Sequence, residues 1–262
     1  MSRLAARFEM LRKHKTPGLV AYVTAGDPTP AISGDVLLAI AAAGADVLEV
    51  GVPFSDPIAD GPVIQRATER ALAAGGNLSV TLDIIAKVRS AIAQPIVLFT
   101  YINPVMRMGT DTFVAKAAAA GVDGVLMLDL PIEASEDLCG RLGKAGLDQI
   151  FLISPTTSDA RLAEAARLGS GFLYVISRLG VTGVRDHVSG AAAPLVERIR
   201  RVTSLPIAVG FGLSKPEHLT EVAAFADAAV VGSALVTVIG EAGTHADAPA
   251  KAGAFVRWLR GQ

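Results

Sequence analysis

Four carboxylates, Asp46, Glu49, Asp56 and Asp60, fall between Ala41 and Gln65, and no Lys or Arg lies in that stretch to pair with them. Glu49 sits in Val47-Leu48-Glu49-Val50, an apolar run that reads as a strand buried on both faces, where an ionised carboxylate is costly unless bonded or paired. Removal from water and nearby negative charge both favour the neutral form, so Glu49 is a candidate to give and take a proton near neutral pH. Asp60 follows in a loop punctuated by Pro53, Pro57 and Pro62, where it is expected to stay ionised and orient a ligand. Two carboxylates in unlike surroundings can divide acid and base roles. Two structural alternatives stand beside this reading: Glu49 in an ion pair with an Arg from another strand, and Asp60 as the cap of the following helix. Asp56-Pro57 also suits a plain turn.

The elements that must hold these residues recur along the chain. Residues 2–13 read as a helix with Leu4, Phe8 and Leu11 on one side. Strand-like runs follow at Gly18 to Ala25, Asp46 to Val50, Pro95 to Tyr101, Gly124 to Asp129, Gln149 to Ser154, Gly171 to Ser177, Pro206 to Phe211 and Ala228 to Gly232. Segments of helical spacing lie between and after them: Pro30 to Ala43, 63–74 with 79–92, 111–120, 134–145, 159–168, 191–203, 215–224, 234–240 and 247–260. Strict alternation means parallel strands with right-handed crossovers, and eight such units predict a single-domain (β/α)8 barrel over residues 1–262, with an extra N-terminal helix and additional helices. The alternative, an open doubly wound sheet, lacks a G-x-G-x-x-G after the first strand.

A chain of 262 residues, half of them apolar, can bury a large core. Its net charge of −1 and lack of a basic stripe argue against a nucleic-acid or anionic-membrane role. Cys139 is the single cysteine and cannot form an internal disulfide, which fits a reducing cytoplasm. The first fifteen residues lack the apolar core of a signal peptide. None of His14, His187, His218 and His245 has metal-ligand spacing, and no metal site is expected.

In a (β/α)8 barrel, function gathers at the C-terminal strand ends and the loops beyond them. Glu49, Asp60, Tyr101, Asp129 and Tyr174 all reach that mouth, although Tyr101 and Tyr174 would equally serve as filling for the barrel top. Gly210-Phe211-Gly212 and Gly232-Ser233-Ala234 end strands 7 and 8, where backbone N–H groups and a helix start commonly grip phosphate. Arg178 to Arg185 follows strand 6 and carries Gly180 and Gly183, the pattern of a lid or of an ordinary surface loop.

Residues 48–65, reading LEVGVPFSDPIADGPVIQ, together with Thr24-Ala25-Gly26-Asp27-Pro28, Thr100-Tyr101-Ile102-Asn103-Pro104, Ser177 to Gly183, Gly210-Phe211-Gly212 and Gly232-Ser233, resemble the tryptophan synthase alpha subunit family. The likeness covers nearly the whole chain. It implies a retro-aldol cleavage of indole-3-glycerol phosphate to indole and glyceraldehyde 3-phosphate, with Glu49 as the proton shuttle, Asp60 on the indole N–H, and Tyr174 beside Glu49. It further implies a phosphate site at Gly183, Phe211, Gly212, Gly232 and Ser233, and an indole pocket of Tyr22, Ile64, Tyr101, Leu126, Leu128 and Ile153. Arg178, Gly180 and Thr182 would belong to the lid. Tyr22, where some relatives have Phe, and Leu128 are departures in the pocket wall.

Protonating an indole carbon makes the ring an electron sink, so acid–base groups suffice and no cofactor is expected on this chain. Apolar residues gather on loops after strands 2 to 4: Pro53, Phe54 and Ile58, then Pro104, Val105, Met106 and Met108, then Pro131-Ile132. Such a patch suggests a protein partner. The resemblance implies that this is the pyridoxal-phosphate-dependent beta subunit in an αββα complex, with Phe54, Asp56, Pro57, Pro104, Met106 and Pro131 at the interface.

Overall fold

The computed structural model describes residues 1–176, 192–210, 212–242 and 245–262. Its eight parallel strands close into one barrel in sequence order: β1 Gly18–Thr24, β2 Val47–Gly51, β3 Ile96–Thr100, β4 Gly124–Met127, β5 Asp148–Ile153, β6 Leu173–Ile176, β7 Ile207–Gly210 and β8 Ala228–Val231. β8 pairs back onto β1, matching Gly18 with Ala228 and Ala21 with Val231. This is the predicted (β/α)8, or TIM, barrel. The helices are α1 Arg3–His14, α2 Pro30–Ala42, α3 Pro62–Ala73, α4 Leu78–Val88, α5 Ile102–Met108, α6 Thr110–Ala120, α7 Glu136–Lys144, α8 Asp159–Leu168, α9 Ala192–Arg200, α10 Pro216–Ala223, α11 Ser233–Gly240 and α12 Ala248–Leu259.

Alternation along each strand divides the apolar residues into two cores. Inward-facing Val20, Val47, Val97, Leu126, Ile150, Phe172, Ala208 and Ala228 fill the barrel, and Leu4, Phe8 and Leu11 of α1 join them as a plug. Outward-facing Leu19, Leu48, Val50, Leu98, Val125 and Ile153 pack beneath the surrounding helices. Ser2 starts the plug helix by accepting the Ala5 N–H at 3.2 Å.

Opposite the mouth, a side chain before each even-numbered strand accepts a backbone N–H near the start of the preceding odd one. Asp46 accepts Leu19 N–H at 2.7 Å, Asp123 accepts Ile96 N–H at 2.8 Å, Ser170 accepts Gln149 N–H at 3.0 Å and Asp227 accepts Ile207 N–H at 2.7 Å. The aspartates also hold guanidinium groups: Arg7 and Arg260 on Asp46, Arg3 and Arg89 on Asp123, and Arg200 on Asp227. At the other end, Asp27 takes a two-pronged bond from Arg70 at 2.8 and 2.9 Å, tying the loop after β1 to α3.

Two expectations change. β3 ends at Thr100 and β4 at Met127, so Tyr101 and Asp129 lie just beyond their strands. The segment after Tyr101 is a helix rather than an exposed loop. Asp129 accepts the Ile102 N–H at 2.7 Å and satisfies a donor in its first turn, while Val105 turns inward and is fully buried. Asp129 thus has a structural bond, and Pro53 and Ile132 are buried as well.

Candidate active site

Tyr22 on β1 and Glu49 on β2 are register partners, so their side chains enter the barrel mouth side by side. They line a cavity of about 380 Å³ with Asp60, Ile64, Tyr174, Gly212, Gly232 and Ser233. Phe99, Leu128, Leu152, Ile176 and Val230 complete an aliphatic and aromatic wall, and Ile58 and Ala59 form part of the rim.

Glu49 is 1 % exposed, and its Oε1 has no hydrogen-bond partner among the described residues. Burial pushes its carboxyl up to about 8. The ion-pair alternative therefore has no support among the described residues. Tyr174 lies partly buried next to it, and loss of water together with the Glu49 charge raises its hydroxyl well above the ordinary tyrosine value. Tyr174 fits only because β7 ends in glycine: a methyl group placed on Gly210 would come within 2.5 Å of the Tyr174 hydroxyl. Gly51 makes the same room for Tyr22, with 2.2 Å to its hydroxyl.

Asp60 is 6 % exposed. Burial raises its carboxyl to about 6, against a hydrogen bond from Tyr101 that pulls it down. The same Tyr101 hydroxyl accepts the Ala59 N–H at 3.1 Å, and its ring packs on Phe54 with centroids 5.2 Å apart. Gly61, not Asp60, is the cap residue of α3. Glu49 thus favours its protonated form near neutrality while Asp60 is largely ionised, the division of roles that acid–base chemistry needs.

The glycines expected to hold phosphate lie at the ends of β7 and β8. Gly212 has φ +74°, a left-handed conformation that favours glycine. Gly232 precedes α11, whose first residue, Ser233, lines the cavity. A helix start leaves backbone N–H groups free and carries a partial positive charge. Gly183 and Phe211, expected at the phosphate, and Arg178, Gly180 and Thr182, expected in a lid, lie outside the described residues. Among the described residues, no group of three His, Cys, Asp or Glu could hold a metal ion.

Tyr22, Ile64 and Leu128 line the cavity as expected of a ring pocket, but three expected wall residues do not. Leu126 faces inward one layer too deep and belongs to the barrel core. Ile153 faces out toward the helices; Leu152, one position earlier, takes the wall position because side chains alternate along β5. Tyr101 is a brace for Asp60 rather than a wall. Sequence reasoning missed Phe99, Leu152, Ile176 and Val230, each two residues beyond a side chain that the fold, not the local sequence, turns inward: Val97, Ile150, Tyr174 and Ala228.

The sequence pattern described as tryptophan synthase alpha chain matches residues 8–257. A protein of that name from Solibacter usitatus is 46 % identical over 260 residues, covering 99 % of this chain and 97 % of its own. One from Methylococcus capsulatus is 49 % identical over 243 residues, covering 92 % and 91 %. Among solved structures, tryptophan synthase subunit alpha from Legionella pneumophila superposes with a TM-score of 0.89 at 36 % identity, covering 100 % of this chain and 98 % of its own. A chain of Mycobacterium tuberculosis tryptophan synthase gives 0.90 at 36 %, covering 99 % and 98 %.

Proposed function

Because the chain belongs to the tryptophan synthase alpha chain family, we propose that its barrel mouth cleaves indole-3-glycerol phosphate into indole and glyceraldehyde 3-phosphate. Protonated Glu49 donates its proton to the ring carbon that carries the side chain. The ring becomes cationic, and Asp60 accepts the indole N–H and offsets that charge. Glu49, now a carboxylate, takes the proton from the hydroxyl on the adjoining side-chain carbon. The carbon–carbon bond breaks, its electrons restore the indole ring, the aldehyde forms, and Glu49 is protonated again. Tyr174 flanks the reacting side chain. Gly212, Gly232 and Ser233, joined by Gly183 and Phe211, hold the phosphate. Arg178, Gly180 and Thr182 close over it.

Indole then passes to the beta subunit, whose pyridoxal phosphate uses it, in an αββα assembly. The chemistry asks for no cofactor on this chain, and its setting is the cytoplasm; among the described residues no single helix is long and apolar enough to cross a membrane. The observation that carries the proposal is Glu49, an unpaired acid buried in the wall of the one cavity that also holds Asp60, among the described residues.

The test is kcat/KM against pH for the full chain with its beta subunit. Wild type should be most active between about 6 and about 8, where Asp60 is ionised and Glu49 protonated. Glu49→Gln should lower kcat by at least about 10²- to 10⁴-fold, the range for losing a positioned acid–base group, with retained binding of a phosphate-bearing analogue. Full activity of Glu49→Gln would reject the mechanism.

A further inference from the structure

A second cavity, of about 300 Å³, lies between the ends of β4 and β5, lined by Met127, Phe151, Asp129, Ser154, Thr157 and Arg161 among others. Leu128 and Leu152 are the two residues, among those described, that line both this cavity and the main one. Each is only partly buried. They form a partition one side chain thick.

Position in the barrel says which part of a ligand meets this partition. The glycines of the proposed phosphate site lie at β7 and β8, and in a closed barrel of eight strands β3 and β4 stand opposite them. A ligand whose phosphate is held there points its far end at β3 and β4, where Leu128 lies with Leu152 of the neighbouring β5 beside it. For indole-3-glycerol phosphate, that end is the benzo edge of the indole. Behind the partition Arg161 pairs with Glu133 at 2.8 Å, and Asp129, which accepts the Ile102 N–H at 2.7 Å, is exposed to solvent. Ser154 and Thr157 bond to each other at 3.2 Å. A small apolar substituent entering there meets buried Met127 and Phe151 first, and one that stops at them leaves the exposed Asp129 in water.

We propose that Leu128 and Leu152 set the size limit of the ring this site accepts, and that truncating either one opens the second cavity to indole-3-glycerol phosphates bearing an apolar group on the benzo ring. This inference rests on the retro-aldol reading. It is tested by release of glyceraldehyde 3-phosphate from the parent substrate and from analogues carrying a methyl or phenyl group at each benzo carbon in turn. Wild type, Leu128→Ala and Leu152→Ala are compared as full chains with the beta subunit present.

For at least one ring position, both variants should raise the ratio of kcat/KM for analogue over parent by about tenfold or more, the usual weight of a few methylenes in an apolar pocket. Leu128→Val and Leu152→Val, which keep more of the wall, should fall between and serve if an alanine variant does not fold. A ratio unchanged or lowered at every position overturns the proposal while leaving the activity standing. Failure of wild type to cleave the parent would overturn both.

Discussion

In the folded chain burial keeps the Glu49 proton in place up to about pH 8, whereas the ordinary glutamate value is 4.5. Between those values the unfolded chain binds fewer protons at this residue than the folded chain, so its contribution to stability falls as pH rises through that window. Glu49→Gln removes the titration. The variant should match wild type below pH 4.5 and exceed it increasingly toward pH 8, by on the order of a few kcal/mol, since each tenfold difference in proton affinity between the two states is worth about 1.4 kcal/mol. Urea unfolding at a series of pH values measures this, and a difference that does not grow with pH would contradict it. Such a gain alongside lost activity is the trade between stability and a strained site. Glu49 and Asp60 were legible in the sequence because a carboxylate in an apolar strand and another in a proline-rich loop both break the local pattern. Leu152 was not legible, because in Ile150-Phe151-Leu152-Ile153 every residue is apolar and nothing local says which face looks inward.

At the scale of elements, the eight strands could be read from their apolar runs and the α1 plug from the spacing of Leu4, Phe8 and Leu11. α5 could not be read, since its start depends on Asp129, just beyond β4, reaching the Ile102 N–H. The acceptors before the even strands were equally hidden: Asp46 looks in sequence like one more acid near the site, yet it faces the opposite end of the barrel. It gathers Leu19, Arg7 of α1 and Arg260 beyond α12, and Arg260 also bonds the Gly44 and Pro17 carbonyls at 3.0 Å. Asp46→Ala leaves two partly buried guanidinium groups without their counter-charge and the buried Leu19 N–H without its acceptor, which costs about 1–3 kcal/mol. We propose that residues 1–262 fold as one unit. Urea titration followed by CD and fluorescence should then show one transition with a lowered midpoint in Asp46→Ala, and turnover by the folded variant should persist. Two separate transitions, or an unchanged midpoint, would contradict this.

For the molecule as a whole, closure of the barrel leaves one rim carrying both the candidate site and two strongly exposed apolar side chains. Ile58 and Met106 are 83 % and 68 % exposed, on the loop after β2 and on α5. Asp56 and Pro131 are exposed beside them, while Phe54, Pro57 and Pro104 are half-buried. Ile58 also lines the cavity, so this patch borders the reaction site directly. Aspartate at both Ile58 and Met106 should weaken association with the beta subunit by about tenfold or more, as expected for buried apolar anchors, with an unchanged far-UV spectrum. Calorimetric titration of the two chains gives the affinity, and an unaltered Kd would move the interface elsewhere. The patch was legible as apolar loop residues. Which of them face outward depended on the fold, since Pro53, Val105 and Ile132 turn in.

The proposed chemistry at the barrel mouth depends above all on the protonation of one side chain. Carbon-13 NMR of the glutamate carboxyls, with Glu49 assigned by its disappearance in Glu49→Gln, follows that titration directly in the folded chain. A midpoint near 8 is predicted; a midpoint at or below the ordinary 4.5 would show the acid already ionised where it must donate, and would contradict the mechanism.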